Sequence, residues 1–306
     1  MTKQYKVANH YFAIEADAES CLWEKMCQCY GPFEDFDKEA EVCFTLVIKE
    51  SAVDCKDKVA VYSNADDRKE GFIIFSVFKT GDNNHYFELS QPYAKQTNGY
   101  MTLSSDFSCA TLNLAGTELE QWNTFNTAVT LCFQLATSKD NTLLLHASAV
   151  EYQERAYLFL GKSGTGKSTH SRMWLEALIN VTLINDDHPV VRVYSNGEIT
   201  AYGSPWSGKT HCYKNISYPL GGVIRIVRAE HNRAVRLSAI QSYASIMTSC
   251  GGMVWLREFA DNRDRAIQNI ISQTPCWNME CLPNSDAAIV CSSAVTAMWN
   301  ETENRD

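Results

Sequence analysis

The chain has 306 residues, 45% of them hydrophobic and 21% charged, with a formal net charge of −9. That length admits two domains and a buried core that needs no covalent staple. The acidic balance argues against a general nucleic-acid binder, which needs a basic surface to neutralise phosphates, and no lysine- or arginine-rich run offers a membrane surface a foothold.

Met1–Val7 carries charges with no apolar run behind it, and no stretch approaches about 18 uninterrupted apolar residues. Neither a signal peptide nor a membrane span is expected, and a cytoplasmic location is. In that compartment the twelve cysteines read as free thiols, with Cys43, Cys132 and Cys291 as small core hydrophobes. Cys21, Cys27 and Cys29 lie close together, but no second cysteine or histidine pair follows at zinc-ribbon spacing. Cys276 and Cys281 read as strand residues.

The first half is strand-rich by alternation and by β-branched and aromatic content. Strands are predicted at Val42–Ile48, Val59–Ser63, Gly71–Phe78 and His85–Leu89, with turns at Glu50–Lys58 and Gly81–Asn84 and a hairpin at Tyr100–Leu103 and Ser108–Leu114. From Glu118 the apolar residues Leu119, Trp122, Phe125, Val129 and Phe133 recur at helical steps, and Ser138–Asn141 then reads as a loop. These patterns give a β-rich N-terminal domain over residues 1–140, ending in a helix, and a second domain over 141–306.

The second domain opens with a predicted strand, Leu143–Val150, a turn at Gln153-Glu154-Arg155 and a second strand, Ala156–Leu160. Residues 161–168 then read Gly-Lys-Ser-Gly-Thr-Gly-Lys-Ser, a full match to the phosphate-binding loop pattern. Gly161, Gly164 and Gly166 let the backbone turn tightly with its N–H groups aimed inward. Lys162, Ser163, Thr165 and Thr169 complete the cradle. Lys167 is placed to bridge terminal phosphates and Ser168 to ligate magnesium. A helix is predicted from Ser168 to Ile179, and its N-terminus adds partial positive charge. An apolar strand, Val181–Ile184, leads into Asp186-Asp187, of which one carboxylate suits the metal and the other a proton from an attacking hydroxyl. Strand, glycine loop, helix, strand and acidic pair follow the order of an α/β nucleotide-binding core.

His146-Ala147-Ser148-Ala149-Val150, the hairpin, the 161–168 loop and the Asp186-Asp187 pair together resemble the catalytic domain of HPr serine kinase/phosphorylase and its related proteins, whose fold is shared with the ATP-using phosphoenolpyruvate carboxykinases. Gly203–Lys209, Leu220–Arg228 with Arg236-Leu237-Ser238, and Trp277–Ala288 extend the resemblance over about residues 143–295. Thr169 stands where that family carries Glu, and a glycine- and isoleucine-rich second signature has no counterpart.

The resemblance implies an α/β catalytic domain, α+β for the chain as a whole, that uses ATP and Mg2+. It implies Asp187 as general base and Asp186 as metal partner or orienting carboxylate, the two being exchangeable. His146 would position or tune the pair, or be a core histidine. Lys209 would stabilise transferred charge, or be a solvated lysine. Trp206 reads as packing, His170, Met173 and Trp174 as helix face and core, and Arg192 and Arg225 as phosphate clamps that no spacing selects. The expected activity is transfer of the γ-phosphoryl group to a hydroxyl, by family weight a serine, on a protein, peptide or small-molecule acceptor. A non-catalytic ATP sensor and a phosphorylase or phosphohydrolase are the alternatives, and a homo-oligomer is left open.

Overall fold

The computed structural model describes residues 1–50, 55, 57–65, 73–92, 96–251, 253 and 255–303. The chain divides into two units, Met1–Ser138 with Trp255–Arg257, and Lys139–Val254 with Glu258–Asp306. It is a mixed α/β structure with two large sheets and, among the described residues, six α-helices. None of the described helices is long and apolar enough to cross a membrane.

The first unit begins with strands β1 (Thr2–Val7) and β2 (His10–Glu15). Ala8 and Asn9 join them in a two-residue turn, both with positive φ, the backbone such hairpins require. Helix α1 (Leu22–Cys29) carries Cys27 and Cys29 and buries Leu22, Trp23 and Met26. Strands β3 (Val42–Lys49), β4 (Lys58–Ser63), β5 (Ile74–Thr80), β6 (His85–Ser90), β7 (Gly99–Leu103) and β8 (Cys109–Leu114) follow. The predicted Glu50–Lys58 turn and Gly71–Phe78 strand fall partly outside the described residues. The eight strands form one sheet in the order β1-β2-β3-β8-β7-β6-β5-β4.

Helix α2 (Glu118–Thr137) starts at a capping box in which Thr117 and Glu120 satisfy each other's backbone N–H groups. Phe125, Val129 and Phe133 recur every four residues and are fully buried, forming the stripe that packs on β3, β8 and β7. The Phe133 ring meets Phe12 edge-on, and Phe12 stacks on Phe44 with centroids 5.1 Å apart.

The second unit contains β9 (Thr142–Leu144), β10 (Ala147–Tyr152), β11 (Arg155–Leu160), α3 (Lys167–Ala177), β12 (Thr182–Asn185), β13 (Val190–Val193), β14 (Ile199–Tyr202), β15 (Ser217–Arg228), β16 (Arg233–Arg236), α4 (Ala239–Met247), α5 (Arg257–Gln273), β17 (Cys276–Cys281) and α6 (Ser285–Glu303). The parallel strands β11, β15 and β17 lie side by side, flanked by antiparallel β10 and β12 on one side and β16 on the other. The start of the long strand β15 turns away to pair with β14, which continues through β13 to β9.

Strand β11 is buried on both faces, as a central parallel strand should be. Tyr157 and Phe159 pack with Trp174 of α3 and with Ala287 and Cys291 of α6. Leu158 and Leu160 pack on the other face with Ile246 of α4 and Ile267 and Ile270 of α5. Cys276, Cys281, Cys132 and Cys291 are buried thiols, Cys43 is half-buried, and every cysteine described is free.

The continuous strand predicted over Leu143–Val150 does not form. β9 ends at Leu144 and pairs with β13, while β10 begins at Ala147 and pairs with β11 and β12. The chain crosses from the β9 edge of the second unit's sheet to its β10 side at Leu145-His146, where Leu145 forms an isolated bridge to Cys250 and donates its N–H to Pro189 O at 3.1 Å. The apolar run spans the crossing because both strands are buried. The predicted Ser138–Asn141 loop holds a short 3-10 turn over Ser138–Asp140. The helix predicted to reach Ile179 stops at Ala177, because Leu178 is already extended.

Candidate functional site

The site is built where β11 ends, α3 begins and the loop after β12 returns. Gly161, Gly164 and Gly166 all have positive φ, at 154°, 75° and 114°, a backbone that disfavours any side chain. Lys162 O accepts the Thr165 N–H at 3.1 Å and the Thr165 hydroxyl at 2.7 Å, which closes the turn. Arg228 braces it by donating to the carbonyls of Gly164 and Thr165. α3 has no side-chain cap at its N-terminus, so its first N–H groups are available to an anion. Gly164 faces open space, and Lys162, Ser163 and Ser168 are exposed.

Lys167 is the first residue of α3, and its side chain folds back over the loop. Its Nζ donates to Gly161 O at 3.1 Å and lies 3.2 Å from His146 Nε2. His146 Nε2 is also 3.5 Å from Asp187 Oδ1. Burial holds the His146 ring down to about 4, with Lys167 adding to the shift and Asp187 opposing it. The ring is therefore neutral at pH 7, accepts from Lys167 at Nε2, and makes no ion pair with Asp187. Burial also lowers Lys167, against the opposing charges of Asp187 and Asp186.

The two aspartates have different surroundings. Asp187 Oδ2 lies 3.1 Å from His188 Nδ1. Burial pushes its carboxyl up, but the His188 hydrogen bond and the positive charge of Lys167 help hold it below the ordinary value. Asp186 is 8% exposed. Its Oδ1 accepts from the Ser148 hydroxyl at 2.8 Å and its Oδ2 from the Thr210 hydroxyl at 2.6 Å. Ser148 in turn contacts the Ser171 hydroxyl at 2.5 Å, linking the carboxylate to the inner face of α3.

Asn185 sets the shape of this loop. It is fully buried, and its Oδ1 accepts the N–H groups of both Asp187 and His188, at 2.9 and 2.8 Å. Its amide donates to Ser204 Oγ at 3.1 Å, and Ser204 Oγ donates to His188 O at 2.6 Å. Ala147 N donates to Asp187 O at 2.9 Å, which ties the pair to the start of β10.

The predicted residues Lys167, His146, Asp187 and Asp186 thus lie in one connected cluster at the mouth of the glycine loop. Lys209 does not join it. The backbone of its loop approaches closely, since a Cβ on Gly208 would sit 3.2 Å from Asp187 Cβ. The Lys209 side chain is exposed and makes no ion pair among the described residues. Trp206 is buried, Arg192 lies over the Tyr194 ring, and His170, Met173 and Trp174 are buried on α3.

Sequence reasoning passed over Asn185, His188, Ser148, Ser171, Ser204, Thr210 and Arg228. Asn185 and His188 carried a signal, since they flank the acidic pair directly. The others come from distant segments. Among the described residues no group of three or more His, Cys, Asp or Glu could hold a metal. Magnesium bound here would depend on Ser168, an Asp186 lone pair and nucleotide phosphates, a ligand set normal for that ion.

No protein-family model and no curated protein matches the chain. Among solved structures it is similar to the Hpr(Ser) kinase/phosphatase from Coxiella burnetii, over 53% of this chain and 94% of that one, with a TM-score of 0.34 and 11% identity. A likeness of that degree carries no argument about activity, which rests on the site itself.

Proposed function

We propose that the second unit is an ATP-dependent phosphotransferase that moves the γ-phosphoryl group to a hydroxyl, a serine on a protein, peptide or small molecule. The observation that carries this reading is the contact chain from Lys167 through His146 to Asp187, which puts a phosphate-directed cation and a carboxylate base in one cluster. The open, uncapped start of α3 with its three positive-φ glycines fits a polyphosphate.

Lys167 has three donors and uses two of them, so the third is free for a terminal phosphate oxygen. His146, held neutral, keeps Lys167 aimed at the loop without competing for the anion. Asp187 is ionised at neutral pH and accepts the proton of the incoming hydroxyl, its orientation set by His188 and by Asn185 beneath. Asp186 and Ser168 are the residues to hold magnesium, which when bound neutralises charge on the β- and γ-phosphates. Each Asp186 oxygen retains a lone pair beyond its present hydrogen bond. Little covalent chemistry is asked of the protein, because in-line transfer is chiefly positioning and charge stabilisation.

The test follows ADP formation by phosphorus NMR with serine-bearing acceptors. Asp187→Asn should lower turnover by about 100-fold or more, the typical worth of a positioned base, with ATP affinity within about threefold of wild type. Lys167→Ala should lose ATP binding. Wild-type turnover in Asp187→Asn would remove the base assignment, and unchanged ATP binding in Lys167→Ala would remove the whole reading.

A further inference from the structure

The second unit has a cavity of about 470 Å³ that the phosphate cluster does not use. Its floor is the face of β15, β17 and β16 that α4 leaves uncovered, and Gln241 and Ala244 of α4 form one wall. Arg225, Arg233 and Arg236 line it in a chain of net charge −9. Arg225 and Arg233 are exposed and make no ion pair among the described residues. Arg236 lies over the Trp277 ring. The single acidic lining residue, Glu280, is engaged by His231 at 2.9 Å.

Strand register fixes where this cavity lies. Ala147 pairs with Leu160, Leu160 with Arg225, Arg225 with Asn278, and Asn278 with Val235. One row across the sheet therefore runs from the residue after His146, past the residue before Gly161, into the cavity. Strands are spaced ~4.8 Å apart, so Arg225 lies about 10 Å from Ala147 along this row and Asn278 about 14 Å. An extended peptide advances ~3.3 Å per residue, so three or four residues span that interval. The cavity also lies at the carboxyl ends of parallel β11 and β15, the edge where α/β sheets receive ligands.

We propose that this cavity docks an acidic peptide segment, with carboxylates three or four residues from the hydroxyl that receives the phosphoryl group. The proposal rests on the phosphotransferase reading and names its substrate class. Arg225 and Arg233 form charge-assisted hydrogen bonds to the carboxylates, for which the guanidinium fork is shaped, and the backbone between lies across the end of β11 toward Asp187.

The experiment uses the full chain and fluorescein-labelled peptides with one serine and two glutamates three and four residues away, before it or after it. Peptides with glutamine in place of glutamate serve as controls. Anisotropy reports binding, and transfer of labelled γ-phosphate reports reaction. At least one glutamate peptide should bind tenfold or more tightly than its glutamine control, and Arg225→Gln with Arg233→Gln should abolish that preference while ATP affinity stays unchanged.

Equal binding of acidic and neutral peptides overturns the proposal, as does a preference that survives the double substitution. Equal loss of ATP affinity in that variant assigns the arginines to the nucleotide and also overturns it. Displacement of bound glutamate peptide by inorganic phosphate at micromolar concentration makes a small phosphate the occupant, with the same consequence. Glutamate-dependent binding without transfer removes the phosphotransferase reading and leaves the docking site, whereas transfer without preference for glutamate does the reverse.

Discussion

Asn185 shows how one buried amide can set the course of the loop that carries the acidic pair. Its oxygen holds two consecutive backbone N–H groups and its nitrogen holds Ser204, so the direction of Asp187 depends on it. Asn185→Ala removes the acceptor of those two half-buried donors. The expected loss, read by urea denaturation, is about 2–4 kcal/mol, from roughly 1–3 kcal/mol per unsatisfied group. Turnover should fall while the KM for ATP changes little, because the glycine loop is held by its own contacts. A loss under about 0.5 kcal/mol, the range of neutral surface changes, would show the loop is held elsewhere. The motif residues at this scale were legible because backbone geometry demands glycine and phosphate demands lysine. The position of Asn185 beside the pair was visible but its buried bracing role was not, since an asparagine before Asp-Asp reads equally well as a solvated turn.

At the scale of elements, the 203–208 segment acts as a backbone clamp on the acidic pair. Gly203 donates its N–H to Ile216 O at 2.9 Å, and an added Cβ would collide with the Lys214 carbonyl oxygen. That neighbour is backbone and cannot swing aside. Gly164, by contrast, has positive φ but faces open space, so alanine there meets only the left-handed penalty of about 1–2 kcal/mol. Gly203→Ala should therefore lower the melting temperature more than Gly164→Ala, as differential scanning fluorimetry would show. The reverse order would mean that the loop yields. Strand-by-strand periodicity reveals which segments are extended but not their partners. This is why Leu143–Val150 reads as one strand, although its halves join different strands and His146 is turned out between them.

For the whole molecule, buried neutral histidines impose a pH dependence. Burial holds His170 down to about 4, and His146 is held at a similar value. His170 Nε2 accepts from Trp174 Nε1 at 3.2 Å. Its Nδ1 therefore carries the proton, and that atom is buried without a partner. An unfolded histidine titrates near 6.5. Between about pH 6.5 and 4 the unfolded chain thus binds more protons than the folded one, and stability falls as pH falls through that window. Above it both states are neutral and the effect vanishes. The depressed Asp187 acts lower, where the stability it adds is lost as its folded carboxylate protonates. Urea midpoints should decline from pH 7 to pH 4, and His170→Gln should flatten the decline. An unchanged slope in that variant would exclude His170 as a source.

Sequence by itself determined the glycine loop, the helix after it, the acidic pair and the β-rich character of the first half, because each follows from local backbone preference or from periodicity within one segment. Tertiary structure alone decided what surrounds them. The crossing at His146, the Ser148 and Thr210 hydroxyls on Asp186, and the row from Ala147 through Asn278 to Val235 bring together residues far apart in the chain. Strand order and register set such meetings, and long-range pairing leaves no mark on the period of any single strand.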